Sequence, residues 1–385
     1  VISSRAQSIA PFHAMRLLER ARELEAAGRR VIHMEIGEPD FPTPQRIIEA
    51  GQRALGAGLT HYTAARGLPS LRHAIAGHYE RRFDLKLDPD QILVTPGASG
   101  GLQLLLAALL DPGDGVLMTD PGYPCNRHMV QLLGGEPLLA PVGPQTNYQL
   151  TAEHLEELWR PNVRVVMVAT PSNPTGAVME AEALARLYEA VRARGASLLV
   201  DEIYQGLVYD CQDHTALALG TDGLFVVNSF SKFFGMTGWR VGWVVAGQDS
   251  APVLDRLAQN LYLAAPTPSQ HAALAAFDPE TLSVLEQRRR ELGRRRDFLL
   301  HSLQRLGFRF SVQPRGAFYL YADTGGVTDD SERLAADLLE KEAVAITPGL
   351  DFGRHEPGRH VRFAYTTELA SLEEAVSRIR GFLGG

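Results

Sequence analysis

Between about residue 44 and residue 247, short apolar runs alternate with stretches whose apolar positions recur every three to four residues. The runs at 91–95, 115–119, 137–140, 163–169, 197–200, 224–228 and 241–246 are rich in Val, Leu and Ile and too short for helices, so they predict strands. The run at 163–169 is nearly continuous rather than alternating, which predicts a strand buried on both faces. Helical periodicity fills the segment after 91–95 as far as Leu110 and again spans 181–194. Strand, helix, strand in repetition predicts a mostly parallel sheet flanked by helices.

The pattern changes towards the C-terminus. Asp278 followed by Pro279 is a helix start, and the charged helix it opens runs to about Leu306. Strands are predicted at 309–312, 317–321, 344–347 and 361–365, with a helix from Ser331 and a last one at the end. The helical segment 11–27 is expected to pack against this part. The expected fold class is therefore α/β, with a large domain at 46–274 and a smaller α+β domain formed by 1–45 and 275–385.

Composition narrows the function classes. At 385 residues, 45% hydrophobic and 22% charged, the chain matches a globular enzyme with ample core. A net charge of −7 gives nucleic acid or an anionic membrane no reason to bind. Arg288–Arg290 and Arg294–Arg296 are interleaved with Glu286 and Glu291 and are expected to form a solvated helix face. The two cysteines, Cys125 and Cys211, have neither metal-ligand spacing nor a disulfide framework. No basic-then-apolar leader opens the chain, and the most apolar segment, 102–110, is too short to span a bilayer. No metal and no membrane are expected, and a cytoplasmic location is.

Of 38 basic residues only three are lysines: Lys86, Lys232 and Lys341. An amine can lose its proton and attack a carbonyl, whereas a guanidinium stays charged. Lys86 and Lys341 stand in polar surroundings and are expected to be solvated. Lys232 stands between the apolar run 224–228 and the turn Phe233-Phe234-Gly235-Met236-Thr237-Gly238-Trp239-Arg240. Other polar residues also sit where predicted strands end, which is where open α/β sheets gather ligands. Pro96-Gly97-Ala98-Ser99-Gly100-Gly101 opens a helix after 91–95, a place suited to an anion, although such turns are common. Thr170-Pro171-Ser172-Asn173-Pro174 follows 163–169, its prolines fixing the backbone around Asn173. Asp201-Glu202-Ile203-Tyr204 follows 197–200, where an unpaired charge is costly; a capping Asp and a packing Tyr are the plainer alternative.

An amine, an anion, ring-oxygen donors and a phosphate cradle are together what pyridoxal 5'-phosphate requires. From Ile36-Gly37-Glu38-Pro39-Asp40-Phe41 to Val361-Arg362-Phe363-Ala364-Tyr365, the chain resembles the class I/II aminotransferases of the pyridoxal-phosphate-dependent, aspartate aminotransferase-like fold type I superfamily. The resemblance implies that Lys232 forms the internal aldimine and shuttles the substrate proton. It implies that Asp201 keeps the pyridine nitrogen protonated, and that Asn173 and Tyr204 bind the ring oxygen. By the same resemblance Tyr123 stacks on the ring, Gly97, Ala98 and Ser99 cradle the phosphate, and Ser229, Ser231 and Arg240 ligate it. Tyr62 matches a tyrosine that reaches the neighbouring subunit's phosphate, which implies a homodimer with shared active sites. Arg362 matches the clamp on the substrate α-carboxylate, with Gly37 and Asn173 beside it.

The implied reaction moves an amino group from an L-amino acid to a 2-oxo acid. No residue matches a second arginine for a dicarboxylate side chain, so a neutral or aromatic donor is expected, with Phe12, Met15, Tyr262 and Phe318 as candidate apolar lining. The same motifs also serve β-elimination, as in a carbon–sulfur lyase, which is the alternative. A regulator on this fold would need an appended DNA-binding module, and the chain starts almost directly on the helix leading to Ile36.

Overall fold

Apolar runs without a polar face must be covered on both sides, and the chain achieves this by burying seven of its strands between two layers of helices. The computed structural model describes residues 2–11 and 13–384, so Phe12 lies outside the described residues. In chain order the strands are β1 (Ile32–His33), β2 (Ile92–Thr95), β3 (Gly115–Asp120), β4 (Glu136–Pro141), β5 (Val163–Ala169) and β6 (Ser197–Asp201). They continue with β7 (Leu224–Ser229), β8 (Gly242–Val245), β9 (Tyr319–Asp323), β10 (Val344–Ala345), β11 (Thr347–Pro348) and β12 (His360–Ala364).

The large sheet has the order β2-β8-β7-β6-β5-β3-β4. Strand β8 runs antiparallel to both its neighbours, β2 and β7, and the remaining pairs are parallel. Strand β5 shows why its sequence is so continuously apolar. Val166 and Val168 face one core with Leu198, Val200 and Val226, while Val165 and Met167 face the other with Leu199, Phe225 and Val227. The second face is covered by helices Gly97–Leu109 and Ala251–Leu261. Burying each such side chain contributes roughly 1.5–3 kcal/mol, so the sheet centre is where the fold is anchored.

The terminal segments build two smaller sheets. Strand β1 pairs in parallel with β10, and β11-β12-β9 form an antiparallel sheet. Two expectations change here. The predicted strand 309–312 is reduced to one isolated bridge, Arg309 to Asp323. The predicted strand 344–347 is split at Ile346, because β10 pairs with β1 whereas β11 pairs with β12. A run that leaves one sheet for another cannot stay one strand. The N-terminal helix is His13–Ala26, and the long one is Pro279–Arg305.

The arginine-rich helix also departs from its predicted solvated face. Arg295 and Arg296 are 4% and 2% exposed. Arg295 Nη1 donates to Asp40 Oδ1 at 2.9 Å and to Thr366 O at 3.0 Å, and its guanidinium lies 4.8 Å from the Phe41 ring centroid. Arg296 Nη2 donates to Asp210 at 2.5 Å, and the group lies 5.0 Å from the Tyr209 ring centroid. A paired, aromatic-stacked guanidinium is buried at far less cost than an unpaired charge, and composition alone does not reveal the partners. Lys86 is exposed and Lys341 pairs with Asp337 at 3.1 Å, as expected of solvated lysines. Among the described residues no helix is long and apolar enough to cross a membrane.

Candidate active site

Strands β2, β3, β5, β6 and β7 all end at one edge of the large sheet, and the antiparallel β8 begins there. Each strand end delivers one of the polar residues singled out in the sequence. Around them is a cavity of about 310 Å³ lined among others by Gly37, Ala98, Ser99, Tyr123, Asn173, Asp201, Tyr204, Ser231, Lys232, Arg240 and Arg362. Residues as distant in the chain as Gly37 and Arg362 are thereby brought to one place.

Lys232 is part-buried, and its Nζ donates to Gly37 O at 2.7 Å. The ammonium lies 5.9 Å from the Phe318 ring centroid. Burial pulls its pKa from 10.5 down to about 8; Arg240 and Arg362 add to the fall, while Glu38 and Asp201 oppose it. A lysine at about 8 offers a substantial free-amine population near neutral pH, which is what a nucleophile requires. Asp201, the last residue of β6, is 5% exposed and accepts from Ile203 N at 3.0 Å. Burial pushes its pKa up to about 6, against the pull of that N–H and of Lys232.

The Asp201 shift fixes the sign of a stability effect. In the cofactor-free protein the folded state holds the Asp201 proton more tightly than the unfolded chain, whose carboxyl titrates near 3.8. Stability from this group is complete below pH 3.8 and lost as pH rises through about 6. Asp201→Asn is therefore expected to stabilise the cofactor-free protein at pH 8, by on the order of 1–3 kcal/mol, and to weaken cofactor binding. Urea denaturation of both proteins at pH 5 and pH 8 checks this. A variant less stable than the parent at pH 8 would contradict it.

Arg362 is 3% exposed and enters from β12. Its Nη1 donates to Asn173 Oδ1 at 2.9 Å, and its Nη2 donates to Glu35 O at 2.5 Å and to Thr347 Oγ1 at 3.3 Å. The guanidinium lies between two rings, 4.3 Å from the Tyr319 centroid and 4.7 Å from that of Phe352. Its Nε is buried without a partner among the described residues, so the arginine is held rigidly while keeping a donor in reserve. Tyr204 OH lies 2.9 Å from Tyr319 OH, and both hydroxyls are buried.

At the other end, Gly97 opens helix Gly97–Leu109 with φ +71°, and a Cβ there would stand 2.6 Å from Arg240 Nη2. Arg240 has φ +53° and donates from Nη1 to Thr237 O at 3.0 Å. Ser229 and Ser231 are buried with their hydroxyl oxygens 2.9 Å apart.

Not every expected residue belongs to this cavity. Met15 lines it, together with Ala14, and both are carried by helix His13–Ala26. Phe318 does not line it; it is fully buried, packing edge-on against Tyr204 with ring centroids 5.3 Å apart, and it backs Lys232. Tyr262 is not among the lining residues and packs with the core under helix Ala251–Leu261. Tyr62 is 82% exposed and stands away from this chain's own cavity. The sequence reading missed Tyr319, Thr347, Phe352 and Glu38. Strand alternation held the signal for Tyr319, since β9 and β12 pair Tyr321 with Arg362 and Tyr319 with Ala364 and so put Tyr319 on the arginine's face.

Residues 29–379 match the family described as aminotransferase class I and II, and the chain belongs to that family. Its fold is that of the pyridoxal-phosphate-dependent fold type I members, and it is an aminotransferase. It is 38% identical over 376 residues to valine–pyruvate aminotransferase of Mycobacterium tuberculosis, covering 97% of each chain. It is 35% identical over 385 residues to (5-formylfuran-3-yl)methyl phosphate transaminase of Methanocaldococcus jannaschii, covering 100% of both. The solved structure of Thermus thermophilus aspartate aminotransferase with maleate superposes with a TM-score of 0.93 at 33% identity, covering 99% of each chain. Of the two chemistries that the motifs allow, the family decides for amino transfer.

The residues fit the family's cofactor. A buried carboxylate raised towards neutrality is poised to accept a ring N–H, and the space that a Cβ at Gly97 would fill lies against a guanidinium at a helix N-terminus. The depressed amine of Lys232 lines the same cavity.

Proposed function

We propose that this aminotransferase takes neutral or aromatic L-amino acids as donors and 2-oxo acids as acceptors, with Lys232 as its covalent and proton-carrying residue. One observation carries the reading. A depressed lysine amine shares a cavity with a buried carboxylate and with a rigid, buried arginine that keeps an unpartnered donor. When bound, pyridoxal phosphate supplies an aldehyde for an amine and a protonated ring that draws electrons from the carbon bearing that amine.

Each residue has a task that suits its place. Asp201 holds a proton at the ring nitrogen, because a buried anion without a cationic partner is costly. Asn173 turns Oδ1 to Arg362, which leaves its Nδ2 to donate to the ring oxygen beside the Tyr204 hydroxyl. Tyr123 packs on the ring face. Gly97, Ala98 and Ser99 offer N–H groups to the phosphate, with Ser229, Ser231 and Arg240 closing round it. Arg362 and the Gly37 backbone hold the α-carboxylate, which sets the Cα–H within reach of Lys232 Nζ. That amine takes the proton from Cα and returns it on the acceptor side. In this reading residues 46–274 form the cofactor-binding domain, while 1–45 and 275–385 form a smaller domain that brings the clamp. The exposed Tyr62 serves a second copy's phosphate in a homodimer with shared sites. Free Cys125 and Cys211 suit a cytoplasmic setting.

The donor preference rests on the lining. Arg240 and Arg362 are the arginines among the cavity residues, and the first belongs to the phosphate end. Ala14, Met15 and Ile36 give the cavity apolar lining. A panel of donors, followed by loss of the cofactor's aldehyde-form absorbance, is expected to favour valine, leucine or phenylalanine over aspartate by at least about tenfold in kcat/KM. Equal or faster reaction with aspartate would refute the preference and leave the aminotransferase assignment intact.

A further inference from the structure

Next to Asp201 stands a second buried acid that the reaction does not use. Glu202 is 1% exposed. Its Oε1 accepts from Ala216 N at 2.7 Å and from Thr215 Oγ1 at 3.1 Å. Its Oε2 accepts from Gln205 Nε2 at 2.8 Å and lies 3.0 Å from Thr215 Oγ1. Gln205 then turns Oε1 to Asn228 Nδ2 at 3.0 Å, and Asn228 Oδ1 accepts from Ser229 N at 2.7 Å. Ser229 Oγ in turn accepts from Ser231 N at 3.1 Å and lies 2.9 Å from Ser231 Oγ. Gln205, Asn228, Ser229 and Ser231 are all buried, at 6%, 3%, 1% and 4% exposure. A continuous relay therefore joins Glu202 to the turn that precedes Lys232.

The relay has a direction. A side-chain amide can be turned over with almost no change of shape, so Gln205 and Asn228 do not by themselves know which way to face. The two ends decide, together with His214 O, which accepts from Gln205 Nε2 at 3.3 Å. Ser229 N–H is a fixed donor and requires an acceptor, and the Glu202 carboxylate is a fixed acceptor and requires donors. With two amides between them, one arrangement satisfies every group. Networks of this kind are rigid when complete and costly when one member is reversed.

We propose that Glu202 is a positioning residue for the cofactor's phosphate end, acting through Gln205 and Asn228 on the Ser229–Ser231 turn. The proposal rests on the reading of Ser229, Ser231 and Arg240 as phosphate ligands. Glu202→Gln isolates the effect, because it keeps the shape and puts an NH2 group where one of two N–H donors points, either Ala216 N or Gln205 Nε2. The Ala216 N–H cannot turn and keeps the remaining oxygen, so the NH2 group faces Gln205, whose turning over reverses the relay and sets Asn228 Nδ2 against Ser229 N–H and Gln205 Oε1 against His214 O. Burial raises the Glu202 pKa to about 8. A proton on the carboxyl does not mimic the amide, because it can point at Thr215 Oγ1 while the same oxygen still accepts from Gln205.

The test compares binding of pyridoxal phosphate and of pyridoxal, which lacks the phosphate, to cofactor-free wild type, Glu202→Gln and Gln205→Ala. The last variant cuts the relay in the middle and leaves Glu202 its Thr215 and Ala216 partners. Dissociation constants from cofactor absorbance, with the 31P shift of the bound phosphate, give readouts independent of turnover. The ratio of the pyridoxal constant to the pyridoxal phosphate constant is expected to fall about tenfold in both variants, with a displaced 31P signal and the pyridoxal constant unchanged. Parallel weakening of both ligands, or no change in either, would overturn the proposal. A wild type that does not distinguish the two ligands would instead overturn the phosphate assignment beneath it. If Glu202→Gln does not fold, Gln205→Ala decides alone.

Discussion

Lys232→Ala is expected to lower turnover at least about 10⁴-fold while leaving measurable, weakened cofactor binding. The size follows from losing both proposed roles together, the covalent attachment and the proton transfer at Cα, of which the second alone is worth about 10²–10⁴-fold. Lys232→Arg should fare no better, because a guanidinium does not give up its proton near neutral pH. The parent amine, held near 8 by burial, gains free-base population as pH rises through that value. Reducing the cofactor-loaded enzyme with borohydride and weighing its peptides should place the label on the fragment containing Lys232, and on no fragment of the variant. A label on Lys86 or Lys341, or a variant with full activity, would end the assignment.

The second large effect concerns Arg362. Arg362→Ala is expected to reduce kcat/KM for amino acids by about 10²–10³-fold, equivalent to about 3–4 kcal/mol. Much of that loss comes from disrupting a preorganised group, since Asn173, Glu35 O, Thr347, Tyr319 and Phe352 all hold the guanidinium in place. Arg362→Lys keeps the charge and loses the fork, so it should recover little of the rate. The discriminating comparison is phenylalanine against 2-phenylethylamine, which carries the same ring and no carboxylate. Loss confined to phenylalanine supports the clamp. Equal loss on both substrates would mean that Arg362 supports the fold and not the carboxylate.

Most of the large sheet was legible because burial on both faces writes an unmistakable pattern. Strand β5 is apolar at every position but Arg164, since Val165 and Val166 each meet a different core. The ends of those strands were legible for the same reason, because Asp201 and Lys232 interrupt apolar surroundings where a charge needs a purpose. The small sheets were less so. Residues 344–347 follow one another without a turn residue, and nothing local records that Val344 pairs with Ile32 while Thr347 pairs with Arg362. Tyr319 was missed for a related reason, since its side of β9 is set by register against a distant strand. Arg295 and Arg296 were misread because their partners, Asp40 and Asp210, lie far off in the chain. Non-local pairing is what a linear pattern omits.

The bond from Arg362 Nη1 to Asn173 Oδ1 has a bearing on redesign. In the proposed reading it ties the group that greets an incoming acid to an amide facing the cofactor ring, so arrival of the acid would be felt where electrons flow. An amine without an acid group would leave that message unsent, however well its side chain fitted. Converting this scaffold to simple amines would accordingly call for resetting Asn173 along with the arginine, instead of merely widening the cavity at Met15.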